Sequence, residues 1–378
     1  MMRTSISELT GPGRNAWTSL RQRTMALPPL QAVGASRETI ADHVRDSPHL
    51  HDGVFANVEP TTELTESQSR AAMEMFRRGK VGTPGAPVAV TTPEFVDVPA
   101  QLAATWLGHA TVLVEIDGVR VLTDPVFSRR CSPSQLVGPA RMHRAPCRVA
   151  DLPRIDVVLL SHDHYDHLDV ESVVALSAQS PDAVFVAPIG VGAHLQGWGV
   201  APTRIREADW GESVDAAGLT FNCCYARHFS GRGLVRNLTL WASWAVQGRS
   251  ANFFFSGDSG PSDRFAEVGE LFGPFGLTLI AIGAYDRLWP DIHLDPEQAV
   301  STHQMVSRGE VTDTVMLPIH WATFNLALHP WADPVQRLLT AADERLVPVV
   351  TPPPGARFDV VAGTGPGIAE QTWWEASV

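Results

Sequence analysis

The segment Ser161-His162-Asp163-His164-Tyr165-Asp166-His167-Leu168-Asp169 carries three imidazoles and three carboxylates within eight residues. It directly follows an apolar run, Ile155 to Leu160. Crowding such groups there costs desolvation unless a cation offsets it. In an extended chain, residues i and i+2 face one side, so His162 and His164 can grip one ion together. Asp166 and His167 come where the chain should turn, which aims them at a second ion nearby. Imidazole with carboxylate suits zinc, with iron or manganese as alternatives. A single histidine is ordinarily a solvated or satisfied core residue. Here that reading would have to hold three times in six positions.

Four ligands do not complete two metal sites, and three later residues are the candidates to do so. His228 lies 61 residues beyond His167, Asp258 follows Phe253-Phe254-Phe255, and His320 follows Met316-Leu317-Pro318-Ile319. Each sits just after an expected strand. A carboxylate has two oxygens and can bridge two cations, which is the role expected of Asp258. Taken alone, Asp258 in Ser256-Gly257-Asp258-Ser259-Gly260 would be a turn residue. Two such ions lower the pKa of a shared water toward about 7, and the resulting hydroxide attacks phosphorus or a carbonyl carbon. Asp166 and Asp258 therefore enter as catalytic residues as well as ligands.

A leaving group still needs a proton or a positive neighbour. His293, two residues before Asp295, is the candidate for that role and for contact with substrate, against a plain loop histidine. Asp124 is expected behind a ligand imidazole, where a carboxylate fixes the tautomer. The alternative is a turn aspartate before Pro125. His109 either lines the site or caps a strand.

At these residues the sequence resembles the metallo-β-lactamase superfamily, whose HxHxDH signature matches His162-Asp163-His164-Tyr165-Asp166-His167. The resemblance narrows to the branch containing N-acylphosphatidylethanolamine-hydrolysing phospholipase D. Leu107-Gly108-His109-Ala110-Thr111, Leu122-Thr123-Asp124-Pro125, Ser132-Pro133-Ser134-Gln135, Ile282-Gly283-Ala284-Tyr285 and Ile319-His320-Trp321 carry it. It implies an αββα sandwich with the metals at one edge of the sheets. It also implies that His162, His164 and His228 hold one zinc, that Asp166, His167 and His320 hold the other, and that Asp258 bridges. The branch has a histidine at the place of His293.

The elements that must position these residues are legible in outline. Thr111 to Ile116 and Val119 to Thr123 are β-rich runs joined by Asp117-Gly118, a dipeptide suited to a tight hairpin. Further strands are expected at Leu219 to Ala226, Leu240 to Val246, Asn252 to Phe255, Leu277 to Ile282 and Thr314 to Ile319. Asp169 should cap a helix, and Asp295-Pro296-Glu297-Gln298 reads as a helix start with a reciprocal cap. Asp333-Pro334-Val335-Gln336 repeats that pattern. Strand clusters followed by helices in each half predict an α/β protein, two β-sheets face to face between helical layers. Residues 1–95, with short helices expected at Ser36 to Val44 and Thr65 to Arg78, read as an extension packed on the core or a partly disordered arm. Residues 96–378 read as the hydrolase domain.

The net charge of −12 over 378 residues argues against nucleic acid as a partner. Residues 126–148 depart from that average. They hold Arg129, Arg130, Arg141, Arg144 and Arg148 without an acidic residue, interleaved with Leu136, Val137 and Met142. Arg129 and Arg130 are the candidates to meet a phosphate-bearing, lipid-like substrate or an anionic membrane surface. The alternative is a solvated loop whose arginines pair with acidic neighbours. Cys131, Cys147, Cys223 and Cys224 form no CxxC pair and are expected to be reduced thiols. Pro28, Pro29 and Gln31 interrupt the apolar run after Met25, so a leader peptide is rejected there. The expectation is a cytoplasmic protein with peripheral contact at the membrane, and a homodimer by analogy alone.

Together these features predict a dinuclear zinc phosphodiesterase of phospholipase D type acting on a phospholipid or related diester. The alternatives are a hydrolase of small phosphodiesters or of lactone and lactam rings, and a binding protein without turnover. Redox di-iron chemistry is disfavoured because His164 stands where those relatives carry a carboxylate.

Overall fold

The computed structural model describes residues 28–61, 74, 77–309, 314–363 and 372–378. The helix expected over Thr65 to Arg78 lies outside them, apart from Glu74, Arg77 and Arg78. The helix expected after Ser36 spans Arg37–Val44, with the Ser36 hydroxyl accepting from the Thr39 N–H. A short helix, Pro28–Val33, precedes it, and the hairpin β1 (Leu50–His51) and β2 (Val54–Phe55) follows.

The first half of the domain supplies β3 (Leu102–Gly108), β4 (Thr111–Ile116), β5 (Val119–Thr123), β6 (Val157–Leu159), β7 (Val184–Pro188) and β8 (Ile205–Ala208). The second half supplies β9 (Ser213–Ala216), β10 (Leu219–Cys224), β11 (Ser243–Gln247), β12 (Asn252–Phe255), β13 (Leu277–Ala281) and β14 (Val315–Ile319). The last strand, β15 (Arg357–Asp359), returns to the first sheet. One sheet runs β15-β3-β4-β5-β6-β7-β8 and the other β14-β13-β12-β11-β10-β9. In each sheet the strands that reach the site next to one another, β5-β6-β7 and β12-β13-β14, pair in parallel.

Alternation along the strands assigns faces. In β5 and β6, Val121, Val157 and Leu159 point into the core shared with the second sheet, alongside Trp106, Trp244, Phe253 and Phe255. Leu122 and Val158 point the other way, against Val173, Leu176 and Leu195 of the helices Val170–Gln179 and Val191–Gly197. On the far side, helices Arg264–Phe272, Pro296–Val306 and Asp333–Glu344 cover the second sheet, with Val300 and Val335 fully buried. This is the αββα sandwich expected from the sequence.

Local chemistry explains most boundaries. Asp117 (φ 48°) and Gly118 (φ 86°) turn β4 into β5 with the two left-handed residues a tight hairpin needs. The Asp169 carboxylate accepts from the Ser172 N–H, and Asp295 and Gln298 form the reciprocal cap. Asp333 is a correction. It is the first helical residue rather than the cap, which falls to Ala332 without a side-chain bond. Its carboxylate instead accepts from the Tyr285 hydroxyl and faces Arg337. Cys223 and Cys224 point to opposite faces of β10, but both are buried, and all four cysteines are free thiols.

Candidate metal centre

Four of the strands that end on one edge of the sandwich finish in a tight turn that delivers a polar side chain. After β3 comes His109 (φ 55°), after β5 Asp124 (φ 31°), and after β14 His320 (φ 63°). After β12, Gly257 (φ 53°) precedes Asp258, and a side chain at Gly257 would meet Ser161 Cβ at 2.6 Å. Left-handed conformations are uncommon for residues other than glycine and persist where the surroundings enforce them. Their concentration at this edge reflects how abruptly each strand must turn to aim its side chain.

The donor atoms converge in two groups. His164 Nδ1 stands 2.8 Å from His162 Nε2 and 3.3 Å from His228 Nε2. Asp166 Oδ2 stands 3.4 Å from His167 Nε2 and 3.3 Å from His320 Nε2, and those two nitrogens are 3.1 Å apart. Asp258 Oδ2 lies between the groups. It is 3.1 and 3.2 Å from His167 and His320, and 3.9 and 3.7 Å from His162 and His228. The seven side chains singled out from the sequence therefore share one cluster. A zinc ion at ~2.0–2.1 Å from two imidazoles in tetrahedral array would set their nitrogens about 3.3 Å apart, close to these separations.

The far side of the rings decides where their lone pairs point. His228 Nδ1 is 2.8 Å from the Ile292 carbonyl, which can only accept, so Nδ1 carries the proton. His167 Nδ1 donates to Asp124 Oδ2 at 2.6 Å. The Ser161 hydroxyl donates to Asp124 and so accepts from His162 Nδ1 at 2.9 Å. Each bond leaves Nε2 aimed at the cluster, a bare acceptor whenever the ring is neutral. Converging lone pairs and carboxylate oxygens in a buried space have a physical partner in a cation, so the residues fit a metal pair. Asp124 lies behind His167, on the side of the ring away from the cluster.

Electrostatics agree with that fit. Burial pushes His162 and His228 well below the usual histidine range, which favours the neutral, metal-binding form. Burial also opposes the charge on Asp258 and Asp166, but neighbouring histidines outweigh it and hold both carboxyls well below the usual range. Burial likewise opposes charge on His167, yet Asp258, Asp166 and Asp124 raise it well above its ordinary value. His320 rises to about 9 against its burial, chiefly through Asp258 and Asp166. A proton is one way to satisfy these carboxylates, and a divalent cation shared by the same four groups is another.

The cluster is closed on most sides. His162, His167, His228, Asp258 and His320 are buried, whereas His164, Asp166 and His293 are partly exposed and form the open rim. His293 Nδ1 is 3.9 Å from Asp258 Oδ2, and its ring centroid is 5.0 Å from that of His228. That nitrogen has no hydrogen-bond partner among the described residues. Burial lowers His293 to about 4.

Arg129 and Arg130 are not gathered into this cluster. Arg129 is exposed, and the Arg130 guanidinium donates to the Gly138 carbonyl within its own loop. Arg141 is the arginine of that loop that turns inward. It donates to the Val126 carbonyl and lies 5.5 Å from the Phe324 ring, which in turn meets His109 edge-on. Leu136 and Val137 point to solvent, and Leu136 borders a cavity of about 700 Å³ with Tyr165, Val174 and Arg232.

Two residues near the centre, Asn57 and Arg232, escaped the sequence reading, which offered His109 either as lining the site or as capping a strand. His109 Nε2 is 3.0 Å from Asp166 Oδ2. Asn57 clamps the His228 backbone from both sides, at 2.7 and 3.1 Å. Arg232, buried, donates to the carbonyls of Asp163, Leu168 and Ala32. Nothing local marks Asn57 or Arg232, whose partners lie far away in sequence.

Comparison with known proteins agrees with this geometry. Residues 119–321 match the family model described as the β-lactamase superfamily domain. An uncharacterized protein of Mycobacterium tuberculosis is 47% identical over 350 residues, 91% of each chain. N-acyl-phosphatidylethanolamine-hydrolyzing phospholipase D 1 of Caenorhabditis elegans is 36% identical over 68% of this chain and 75% of its own. Among solved structures, Igni18, a metallo hydrolase of Ignicoccus hospitalis, shares the fold with a TM-score of 0.52 at 21% identity, over 68% of this chain and 98% of that one. With its signature motif, sandwich architecture and clustered donors all in agreement, the chain belongs to the metallo-β-lactamase superfamily of metal-dependent hydrolases.

Proposed function

We propose that the chain is a two-ion phosphodiesterase of phospholipase D type, with zinc as the metal and N-acylphosphatidylethanolamine or a related phospholipid as substrate. The observation that carries this reading is Asp258 Oδ2, one carboxylate oxygen poised between two separate donor groups. His162, His164 and His228 would hold one ion, and Asp166, His167 and His320 the other, with Asp258 common to both. When bound, such ions ready a water for attack at neutral pH and offset the charge that develops on the attacked group.

The chain's own groups do the rest. Asp124 fixes His167 in the tautomer that faces the centre. His293 stands on the open rim and is held neutral, so its contribution is an N–H directed at the leaving oxygen rather than a whole charge. The buried walls exclude bulk water from all sides but that rim, which strengthens each of these interactions. The name of the C. elegans relative supports the lipid substrate. The cavity beside Tyr165, with Leu136 exposed at its edge and Val137 exposed next in the chain, supports acyl chains and peripheral membrane contact.

The test is a substrate panel: N-acylphosphatidylethanolamine vesicles, a soluble phosphodiester and a lactone. The expected result is cleavage of the vesicle lipid to a free head-group alcohol and a phosphate monoester, lost on chelation. Cleavage of the lactone alone would overturn the assignment. His293→Ala is expected to lower turnover roughly 10²-fold, the scale of losing one donor to a developing charge, while both ions stay bound. Undiminished turnover in that variant would remove His293 from the reaction.

A further inference from the structure

His109 belongs to none of the roles described so far, yet it is among the most constrained residues near the cluster. Its side chain is 1% exposed and its backbone is left-handed, with φ 55°. Every backbone polar group is engaged. Its N–H donates to Thr323 Oγ1 at 2.7 Å, and its carbonyl accepts from Trp106 Nε1 at 2.9 Å and from the His320 N–H at 3.1 Å. His109 and His320 are thus two left-handed, non-glycine residues joined by one backbone bond.

The ring is equally fixed. It packs 4.0 Å from the His320 ring and meets Phe324 edge-on at 5.1 Å. Its Nε2 is 3.0 Å from Asp166 Oδ2, the oxygen that also faces His167 and His320. The carboxylate only accepts, so Nε2 carries the hydrogen. One residue therefore holds the side chain of Asp166 and the backbone of His320. It makes no hydrogen bond or ion pair to His162, His164 or His228 among the described residues.

We propose that His109 is a positioning residue for the second ion position, the one formed by Asp166, His167 and His320, and that it does not itself bind the ion. The inference rests on the two-ion reading above. Its N–H occupies one lone pair of Asp166 Oδ2 and stops the carboxylate from rotating. Its carbonyl holds the His320 backbone in the strained turn that aims the imidazole inward. The strain of a left-handed histidine is what the fold bears for this placement.

The test titrates metal-free protein with Zn²⁺ in competition with a chelator, and with Co²⁺ followed by visible absorption. The variants are His109→Ala, His109→Leu, which fills the space without a donor, and His109→Gln, which restores an N–H at similar reach. In Ala and Leu the first equivalent should bind as in wild type and the second about 10–100-fold more weakly, the usual cost of losing a group that orients a ligand. Gln should recover most of that loss. Should Ala not fold, the comparison of Leu with Gln decides alone. Equal weakening of both equivalents, or none, overturns the proposal. A Gln variant as weak as Leu also overturns it, because the N–H to Asp166 would then not be what positions the second ion. Wild-type protein that takes up fewer than two ions overturns the proposal together with the function it rests on.

Discussion

Replacing Asp258 with Ala is expected to release both ions at once and to abolish hydrolysis, a loss beyond the ~10²–10³-fold that removing one electrostatic stabiliser costs. The reason is geometric. Asp258 Oδ2 is within 3.1–3.9 Å of a nitrogen from His162, His167, His228 and His320. No other side chain in the cluster reaches both groups so evenly. His228→Ala is the control, since it removes a donor from the first group alone and should leave the second equivalent bound. Metal analysis after extensive dialysis reads both results. If Asp258→Ala keeps one tightly bound ion, the shared role of this carboxylate is wrong.

Arg232→Met is expected to cost about 3 kcal/mol or more, because each buried carbonyl left without a partner costs ~1–3 kcal/mol. Three carbonyls depend on the guanidinium: Ala32 in the helix Pro28–Val33, Asp163 within the ligand motif and Leu168 just after it. The guanidinium also lies 4.2 Å from the Tyr165 ring, whose hydroxyl donates to the Arg232 carbonyl. Asp163 completes the brace by accepting from Gly231 N–H and facing His194, which itself accepts from Ala35 N–H. The N-terminal segment and the motif are thus tied to one side chain. Melting should fall by roughly 5 °C or more, and binding of the ions held by residues 162–167 should weaken with it. An unchanged melting temperature would mean that these carbonyls find other partners.

Much of this architecture could be read from residues alone because its determinants are local. Asp117-Gly118 specifies a hairpin, Asp295 with Gln298 specifies a helix start, and the apolar runs before His162, Asp258 and His320 are strands long enough to fix where those residues emerge. Asp333 shows the limit. Its neighbours look like a cap, but Tyr285 and Arg337, distant or on the next turn, recruit its carboxylate. Charge pattern alone marked Arg129 and Arg130, which lie on a loop outside the donor cluster, and it could not show that Arg141 of the same loop turns inward. His109 matters through a strained backbone and a contact with Asp166, 57 residues away. Periodicity and composition do not encode such contacts, which exist only once both sheets have packed.

Anomalous diffraction from crystals of the metal-loaded protein is expected to show two peaks, one among His162, His164 and His228 and one among Asp166, His167 and His320, both in contact with Asp258. A single peak, or peaks away from Asp258, would contradict the two-ion centre.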